Sequence, residues 1–279
     1  MGIIPAAGFA RRMPGGAGSK EVFPLPPDGE PVAAHALRAL AQAGIEDILM
    51  IIRAEKGDIP ASLGSGSSWG VGVEYLETDP TRGPVETLDR AYDRVRGATV
   101  ALALPDLLMT CRDPYTPLLS ALHTGPGEDA VLGVFPASSV QPADPVLFDG
   151  APPTLSSTRS GALPAHPQEA RPILAIEPKR PGEPEGHGQA QGQALGPQGQ
   201  WCWGLAVWSP PMTDFIHEEV ARGNDLDWGG DWGLGGVFNR AVGAGLRLAG
   251  VAVSSDPFLD MGTPEGLALA LTGRRTAGR

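Results

Sequence analysis

Apolar runs alternate with amphipathic stretches along most of the chain. Short, mostly apolar runs of the kind that form buried strands occur at residues 3–6, 47–53, 99–104, 130–135, 172–176, 203–208 and 246–253. Stretches between them predict helices at residues 31–43, 85–95, 114–123, 212–220, 235–243 and 263–271. This alternation predicts an α/β, Rossmann-like fold, with a mostly parallel sheet and helices on both of its faces.

Local signals set several of the predicted helix boundaries. Gly44 follows the last apolar position of the first helix and is typical of a helix end. Asp113 is the predicted N-cap of the third helix, and Thr263 followed by Pro264 predicts the start of the last one. His35 lies on the first helix, where we expect it to face the core or an interface and to be structural.

Residues 149–200 differ in composition from the rest of the chain, because Pro, Gly, Ser and Gln dominate there. The sequence GHGQAQGQALGPQGQ at residues 186–200 offers too little apolar surface to order itself, so we expect a flexible loop at residues 183–200. A substrate lid is the functional alternative for this loop. No boundary divides the chain into independent units, and we predict a single domain over residues 1–279.

Composition narrows the classes of partner. The chain has 279 residues, 42% of them hydrophobic, and a net charge of −11, which argues against general nucleic-acid binding. A phosphate ligand remains compatible, since a site needs only a few local cations. Cys111 and Cys202 lie far apart without metal-type spacing and are expected to be reduced thiols. There is no leader and no apolar stretch near the ~18 residues of a membrane span, so we expect no membrane partner and a cytoplasmic location.

A small-residue turn with basic residues follows the first predicted strand. Gly8 lets the backbone approach a ligand, and Arg12 and Lys20 supply charge for a polyphosphate. A plain tight turn is the alternative for Gly8. The turn is not a P-loop, because no Gly-Lys-Ser/Thr ending follows it.

Two acids follow apolar runs at positions where ligands bind in open α/β sheets. Asp106 comes after the strand predicted at residues 99–104, and Asp260 follows Phe258 and Leu259. Together they form a natural pair for Mg²⁺, which is typically bound by one or two carboxylates and substrate phosphates. A capping or turn-forming role is the alternative for each acid. Lys179 leaves the strand predicted at residues 172–176 and could reach a second phosphate, with a solvated surface lysine as its alternative.

Six segments, in this order, resemble the sugar nucleotidyltransferases, with the bacterial glucose-1-phosphate thymidylyl- and uridylyltransferases the most similar members. The opening fingerprint is IPAAG at residues 4–8, Arg12 with Met13, and SKEVFPL at residues 19–25. The other five segments are RGPVETL at residues 82–88, LPD at 104–106, EPK at 177–179, WGLAVW at 203–208 and LDMGTP at 259–264. The resemblance covers nearly the whole chain.

The resemblance implies transfer of a nucleoside monophosphate from dTTP or UTP to a sugar 1-phosphate, glucose 1-phosphate being the expected acceptor, with release of pyrophosphate. It assigns Arg12, Lys20 and Asp106 to catalysis, and Asp106 and Asp260 to Mg²⁺. The residues that it places at the substrates are Ala7, Gly8, Gly83, Glu86, Glu177, Lys179 and Gly204. It also implies a nucleoside triphosphate and a sugar 1-phosphate as partners, and it allows a homo-oligomer.

The chain departs from the family pattern at four positions, namely Ala10, Arg11, Glu86 and Pro178. Glu86 stands where thymidylyltransferases carry a base-contacting Gln, and a carboxylate accepts hydrogen bonds without donating any. The departures motivate an alternative function, a catalytically inactive relative that binds a nucleotide or nucleotide sugar and has a regulatory role. A cytidylyltransferase for a non-sugar alcohol phosphate is a second alternative, against which the LDMGTP segment argues.

Overall fold

The structure, a computed structural model, describes residues 1–8, 18–138, 144–155, 169–177, 201–223 and 233–272. Its strands are β1 (Gly2–Pro5), β2 (Pro24–Leu25), β3 (Glu30–Pro31), β4 (Asp47–Arg53), β5 (Gly72–Thr78), β6 (Val100–Leu102), β7 (Leu107–Leu108), β8 (Ala130–Pro136), β9 (Val146–Phe148), β10 (Arg171–Ile176), β11 (Trp201–Trp208), β12 (Leu248–Ala252) and β13 (Leu259–Asp260). Its α-helices are α1 (Ala34–Gln42), α2 (Asp58–Leu63), α3 (Pro84–Asp89), α4 (Tyr92–Val95), α5 (Tyr115–Thr124), α6 (Pro210–Arg222), α7 (Leu234–Gly243) and α8 (Pro264–Leu271).

Within these residues the main sheet has nine strands in the order β5-β4-β1-β6-β11-β8-β12-β10-β9. Strands β5, β4, β1 and β6 pair in parallel, as do β8 and β12. Strand β11 is antiparallel to both of its neighbours, and so is β10. Seven of the nine strands therefore share one direction, which confirms the predicted mostly parallel α/β sheet.

Side chains alternate between two cores, one on each face of the sheet. Ile4 and Met50 point into a core closed by α1, α2 and α5, whereas Ile3 and Leu49 point into a core closed by α3, α4, α6 and α7. All of these side chains are fully or almost fully buried. Because parallel strands covered on both faces have no polar side, β1, β4 and β6 are recognisable in the sequence as continuous apolar runs.

The predicted helix boundaries are largely confirmed. Gly44 has a φ of +72°, as a glycine after a helix end requires. Asp113 accepts a hydrogen bond from the backbone of Thr116 at 3.0 Å, but α5 begins at Tyr115, so the N-cap position is Pro114 and not Asp113. Two further predictions need correction. Helix α1 begins at Ala34 and not at residue 31, because residues 30 and 31 pair with β2. The helix predicted at residues 85–95 is two helices, α3 and α4, since the backbone leaves helical geometry at Ala91.

Several strands have no counterpart among the predicted elements. Strand β5 lies at the sheet edge and is half-exposed along its length, so its sequence lacks a continuous apolar run. Strand β9 has three residues, and each strand of the two ribbons, β2–β3 and β7–β13, has two, so none of them forms a recognisable apolar run.

Other sequence predictions concern the chain as a whole. Cys111 and Cys202, both among the described residues, are not joined by a disulfide. Among the described helices, none combines the length and apolar character needed to cross a bilayer. His35 is half-buried on α1. The loop predicted at residues 183–200 lies outside the described residues.

Candidate active site

Several of the predicted site residues that the structure describes lie at the edge where the parallel strands end. Strand β1 lies between β4 and β6, so the three strands deliver their following loops to the same place. The loop after β1 begins with Ala6, Ala7 and Gly8, and the loop after β6 carries Asp106. Gly8 is exposed, and no described residue other than its chain neighbours lies within 4 Å of the position that a Cβ would take there.

Lys20 and Asp106 form an ion pair at this edge. Lys20 begins a short 3₁₀ helix, Lys20–Val22, and its Nζ lies 2.5 Å from Oδ2 of Asp106. The two side chains are 25% and 14% exposed. Burial lowers the pKa of Lys20, but the charge and hydrogen bond of Asp106, with Glu21 and Asp260, outweigh burial and raise the pKa above its ordinary value. Lys20 is therefore a permanent cation at neutral pH.

The β7–β13 ribbon brings the second predicted acid to the first. Leu107, directly after Asp106, pairs with Asp260, and the backbone of Met261 donates to the Asp106 carbonyl at 2.9 Å. The Thr263 hydroxyl caps α8 by accepting from the backbone of Gly266 at 3.1 Å, as its predicted role as helix start requires. A strand pairing and a helix cap thus fix the loop that carries Asp260.

Gly262 marks the point where the charged groups converge. A Cβ on this glycine would lie 2.9 Å from Oδ1 of Asp260, 3.2 Å from Oδ2 of Asp106 and 3.6 Å from Nζ of Lys20. The backbone of Gly262 also donates to Oδ1 of Asp260 at 2.7 Å, so Asp260 has a turn-forming role as well. A side chain here would press on both carboxylates, which explains why this position is a glycine.

The donor set at this point fits Mg²⁺. Carboxylate oxygens are hard ligands, and two of them leave the remaining coordination positions to water and substrate phosphates, as Mg²⁺ prefers. No group of three or more His, Cys, Asp or Glu side chains that could hold a metal occurs among the residues with described placement. Asp106 and Asp260 thus suit a metal shared with a phosphate ligand and not a closed structural site.

Helix α3 begins at the same edge, and Glu86 in its first turn has well-defined partners. Its Oε2 accepts from the backbone and from Nε of Arg82 at 2.8 and 3.0 Å, and its Oε1 accepts from Nη2 of Arg90 at 3.0 Å. Burial raises the pKa of Glu86, but these arginine contacts outweigh burial and lower the pKa below its ordinary value. Glu86 is therefore an ionised, arginine-bound carboxylate beside Gly83, the N-cap of α3.

Pro145 connects Glu177 to β11, the strand that contains Gly204. The backbone of Glu177 donates to the Pro145 carbonyl at 3.0 Å, and Pro145 pairs with Cys202 of β11. Glu177 is exposed, whereas Gly204 is buried. A Cβ on Gly204 would lie 3.0 to 3.1 Å from the rings of Phe135 and Phe258, so close aromatic packing accounts for this glycine.

The comparisons with known proteins agree with this arrangement. A family model described as the MobA-like NTP transferase domain matches residues 2–178, which is more than half of the chain. The chain belongs to this family. The chain is 37% identical over 110 residues to a glucose-1-phosphate thymidylyltransferase of Mycolicibacterium smegmatis, covering 38% of this chain and 37% of that protein. It is 26% identical over 114 residues to the Streptomyces antibioticus enzyme of the same name, covering 38% of this chain and 32% of the enzyme.

The chain spans about a third of the length of the curated relatives that it matches. The whole fold is similar to that of a Bacillus anthracis protein assigned as a glucose-1-phosphate thymidylyltransferase and solved with sucrose, with a TM-score of 0.72, 21% identity, and 100% and 96% of the two chains covered. A UDP-glucose pyrophosphorylase of Acinetobacter baumanii gives a TM-score of 0.67 at 15% identity, with 98% and 92% covered. The predicted resemblance to sugar nucleotidyltransferases is confirmed at the level of family and fold.

Some predicted residues lie outside the described part of the chain. They are Arg12 and Lys179, together with the departures Ala10, Arg11 and Pro178. Conversely, Gly262 is not among the predicted site residues, although it lies inside the LDMGTP segment and was therefore recognisable in the sequence.

Proposed function

We propose that this NTP transferase joins a nucleoside triphosphate to a sugar 1-phosphate, forming a nucleoside diphosphate sugar and releasing pyrophosphate. The observation that carries the proposal is the convergence of Lys20, Asp106 and Asp260 around Gly262. These residues lie at the edge of the sheet where β1 ends and the opening loop begins. A cation and two carboxylates suit a polyphosphate ligand with its metal. The names of the relatives, glucose-1-phosphate thymidylyltransferase and UDP-glucose pyrophosphorylase, support dTTP or UTP and glucose 1-phosphate as substrates.

In the proposed reaction a phosphate oxygen of the sugar 1-phosphate attacks the α-phosphorus of the nucleotide in line. The bond from the α-phosphorus to the oxygen that bridges it to the β-phosphate breaks, and pyrophosphate leaves with the bonding electrons. No side-chain nucleophile is needed, so positioning and charge neutralisation provide the catalysis. Lys20 neutralises phosphate charge, and Asp106 and Asp260 would hold Mg²⁺, which supplies further charge neutralisation when bound.

The remaining roles are the ones that the family resemblance implies. Ala7, Gly8 and Gly83 offer backbone close to the nucleotide, and Glu86 lies on the base side. Arg12 is proposed to assist Lys20 at the triphosphate. On the acceptor side the proposed contacts come from Glu177, Lys179 and Gly204.

Release of pyrophosphate tests the proposal. The purified protein is assayed with dTTP, UTP, GTP, CTP and ATP, each combined with several sugar 1-phosphates in the presence of Mg²⁺. We expect turnover with at least one pair, fastest with dTTP or UTP and glucose 1-phosphate, and its loss in Asp106→Asn. Absence of pyrophosphate release from every pair would contradict the proposed function.

A further inference from the structure

We infer that Lys56 and Asp58 are positioning residues for the transfer reaction, because they fix the residues on both sides of Lys20. The inference rests on the proposed function, in which Lys20 acts at the phosphates. Lys56 ends a short 3₁₀ helix that follows β4, and Asp58 begins α2; we call residues 56–58 the 56–58 turn. The turn comes from a different part of the chain than Lys20 and does not itself contain a predicted site residue.

Lys56 ties the 3₁₀ helix of Lys20 to the end of β1. Its Nζ donates to Oε1 of Glu21 at 2.9 Å and to the carbonyl of Ala6 at 2.7 Å. The side chains of Lys56 and Glu21 are only 5% and 1% exposed. One buried ammonium thus connects the residue after Lys20 to the residue that leads into Ala7 and Gly8.

Stability alone does not account for this buried pair. Burial lowers the pKa of Lys56 in spite of the opposing effect of Glu21, and the charges of Lys20 and Arg53 act in the same direction as burial. In addition, Oε2 of Glu21 is buried and has no hydrogen-bond partner among the described residues. A well-packed apolar pair is often as stable as a buried ion pair, or more so. The directional contacts to Glu21 and Ala6 give the pair a geometric role that an apolar pair could not fill.

Asp58 fixes the residue before Lys20. Its Oδ2 accepts from the backbone of Ser19 at 2.6 Å, and its Oδ1 accepts from the Ser19 hydroxyl at 2.7 Å. Gly18 has a φ of +89°, and a Cβ there would lie 3.2 Å from Oδ2 of Asp58, so the backbone passes close to the carboxylate. Both carboxylate oxygens of Asp58 therefore hold one residue in place.

Ser19 and Glu21 are thus both held by the 56–58 turn, while Lys20 between them reaches Asp106. Catalytic groups must be held within about 0.5 Å of their productive position, and a displacement of 1 Å can cost about 100-fold in rate. The 56–58 turn supplies this restraint for Lys20. Loss of either half of it should move the ammonium without removing it.

Steady-state kinetics of Lys56→Met and Asp58→Ala test the inference. We expect kcat to fall by about 10- to 100-fold in each variant, with the KM for glucose 1-phosphate changed much less. Adding Lys56→Met to Lys20→Met should lower kcat no further, since a positioning residue acts through the group that it positions. Additive losses in the double variant, or an unchanged kcat in both single variants, would overturn the inference.

Glu219→Gln is the matched control. Glu219 is 3% exposed, like Glu21 a buried carboxylate, and it pairs with Arg222 and Arg240 on α6 and α7, whose side chains are 57% and 39% exposed. Its substitution should lower the unfolding midpoint about as much as Lys56→Met does and leave kcat unchanged. If the control lowers kcat as strongly as Lys56→Met, general destabilisation explains both effects and the positioning role is wrong.

A second readout does not depend on turnover. The chain has only three lysines, Lys20, Lys56 and Lys179, so acetylation by acetic anhydride can be followed at each one by mass spectrometry. Acetylation of Lys20 relative to Lys179 should rise severalfold in Lys56→Met and Asp58→Ala and stay unchanged in Glu219→Gln. Unchanged labelling in the first two variants would overturn the positioning role even if the wild-type protein shows no turnover. Absent turnover with raised labelling would instead contradict only the proposed function.

Discussion

The ammonium of Lys20 lies 2.5 Å from a carboxylate oxygen of Asp106, although 86 positions separate the two residues in the chain. The carboxylates of Asp106 and Asp260 both lie near Gly262. Asp106 is therefore both the ion-pair partner of Lys20 and one of the two proposed metal ligands. Lys20 and Mg²⁺ would thus neutralise neighbouring phosphate groups from one small region. The predictions below follow from this shared position.

Asp260→Asn should lower the affinity for Mg²⁺, and so raise the Mg²⁺ concentration that the reaction needs, without unfolding the protein. Even residues that only orient metal ligands cost about 10- to 100-fold in metal affinity when they are changed, so a proposed ligand should cost at least as much. The measurement is the Mg²⁺ concentration for half-maximal pyrophosphate release. Asp214→Asn is the control, because it removes a carboxylate that is not a proposed metal ligand. Asp214 lies on α6 and accepts a hydrogen bond from the Tyr92 hydroxyl at 3.0 Å. Equal Mg²⁺ requirements in Asp260→Asn and wild type would exclude Asp260 as a metal ligand.

Two glycines should respond in opposite ways to substitution by alanine. Gly204→Ala places a Cβ 3.0 to 3.1 Å from two aromatic rings, and overpacking of this kind typically costs about 1–3 kcal/mol of unfolding free energy. Gly8→Ala places a Cβ that no described residue beyond its chain neighbours approaches within 4 Å, so its stability should match wild type while its KM for the nucleotide rises. Denaturant unfolding and nucleotide KM check the pair. A Gly8→Ala variant with unchanged KM would remove this backbone from the nucleotide site.

The sequence predicts which strands line the site but not how distant segments meet there. Asp106 was recognisable because it directly follows a buried strand, and Gly262 lies inside a recognisable segment. The reversed direction of β11 was not, since an apolar run looks the same whichever way it crosses the sheet. The contacts of Lys56 depend on the packing of three separate segments. No local pattern could have indicated them.

Glu86→Gln should shift base preference toward thymine or uracil. Gln adds hydrogen-bond donors that can reach a base carbonyl, whereas the carboxylate is an acceptor held by Arg82 and Arg90. Stability should change little, because exposed pairs at this spacing contribute about 0.3–0.5 kcal/mol each. The ratio of kcat/KM for dTTP and UTP over GTP and CTP measures the shift. If all ratios stay as in wild type, Glu86 acts only as an arginine-bound residue at the start of α3.

Asp58 should contribute to resistance against acid unfolding. Burial raises the pKa of Asp58, but the hydrogen bonds from Ser19 outweigh burial and lower the pKa below its ordinary value. The folded state therefore binds fewer protons than the unfolded state as Asp58 titrates, so its stabilising contribution is present above the unfolded pKa and disappears as the pH falls through the folded pKa. Denaturant unfolding between about pH 2 and pH 6 should show a shallower acid-side loss of stability in Asp58→Asn. Parallel pH profiles for variant and wild type would contradict this contribution.

The central claim is tested most directly by phosphorus NMR of a reaction that contains the protein, dTTP or UTP, glucose 1-phosphate and Mg²⁺. The proposed transfer predicts that sugar-diphosphate resonances and pyrophosphate appear in equal amounts while the sugar-phosphate signal declines. Lys20→Met and Asp106→Asn should each abolish or greatly slow this change. Pyrophosphate without a nucleotide sugar, or product formation undiminished in both variants, would contradict the account.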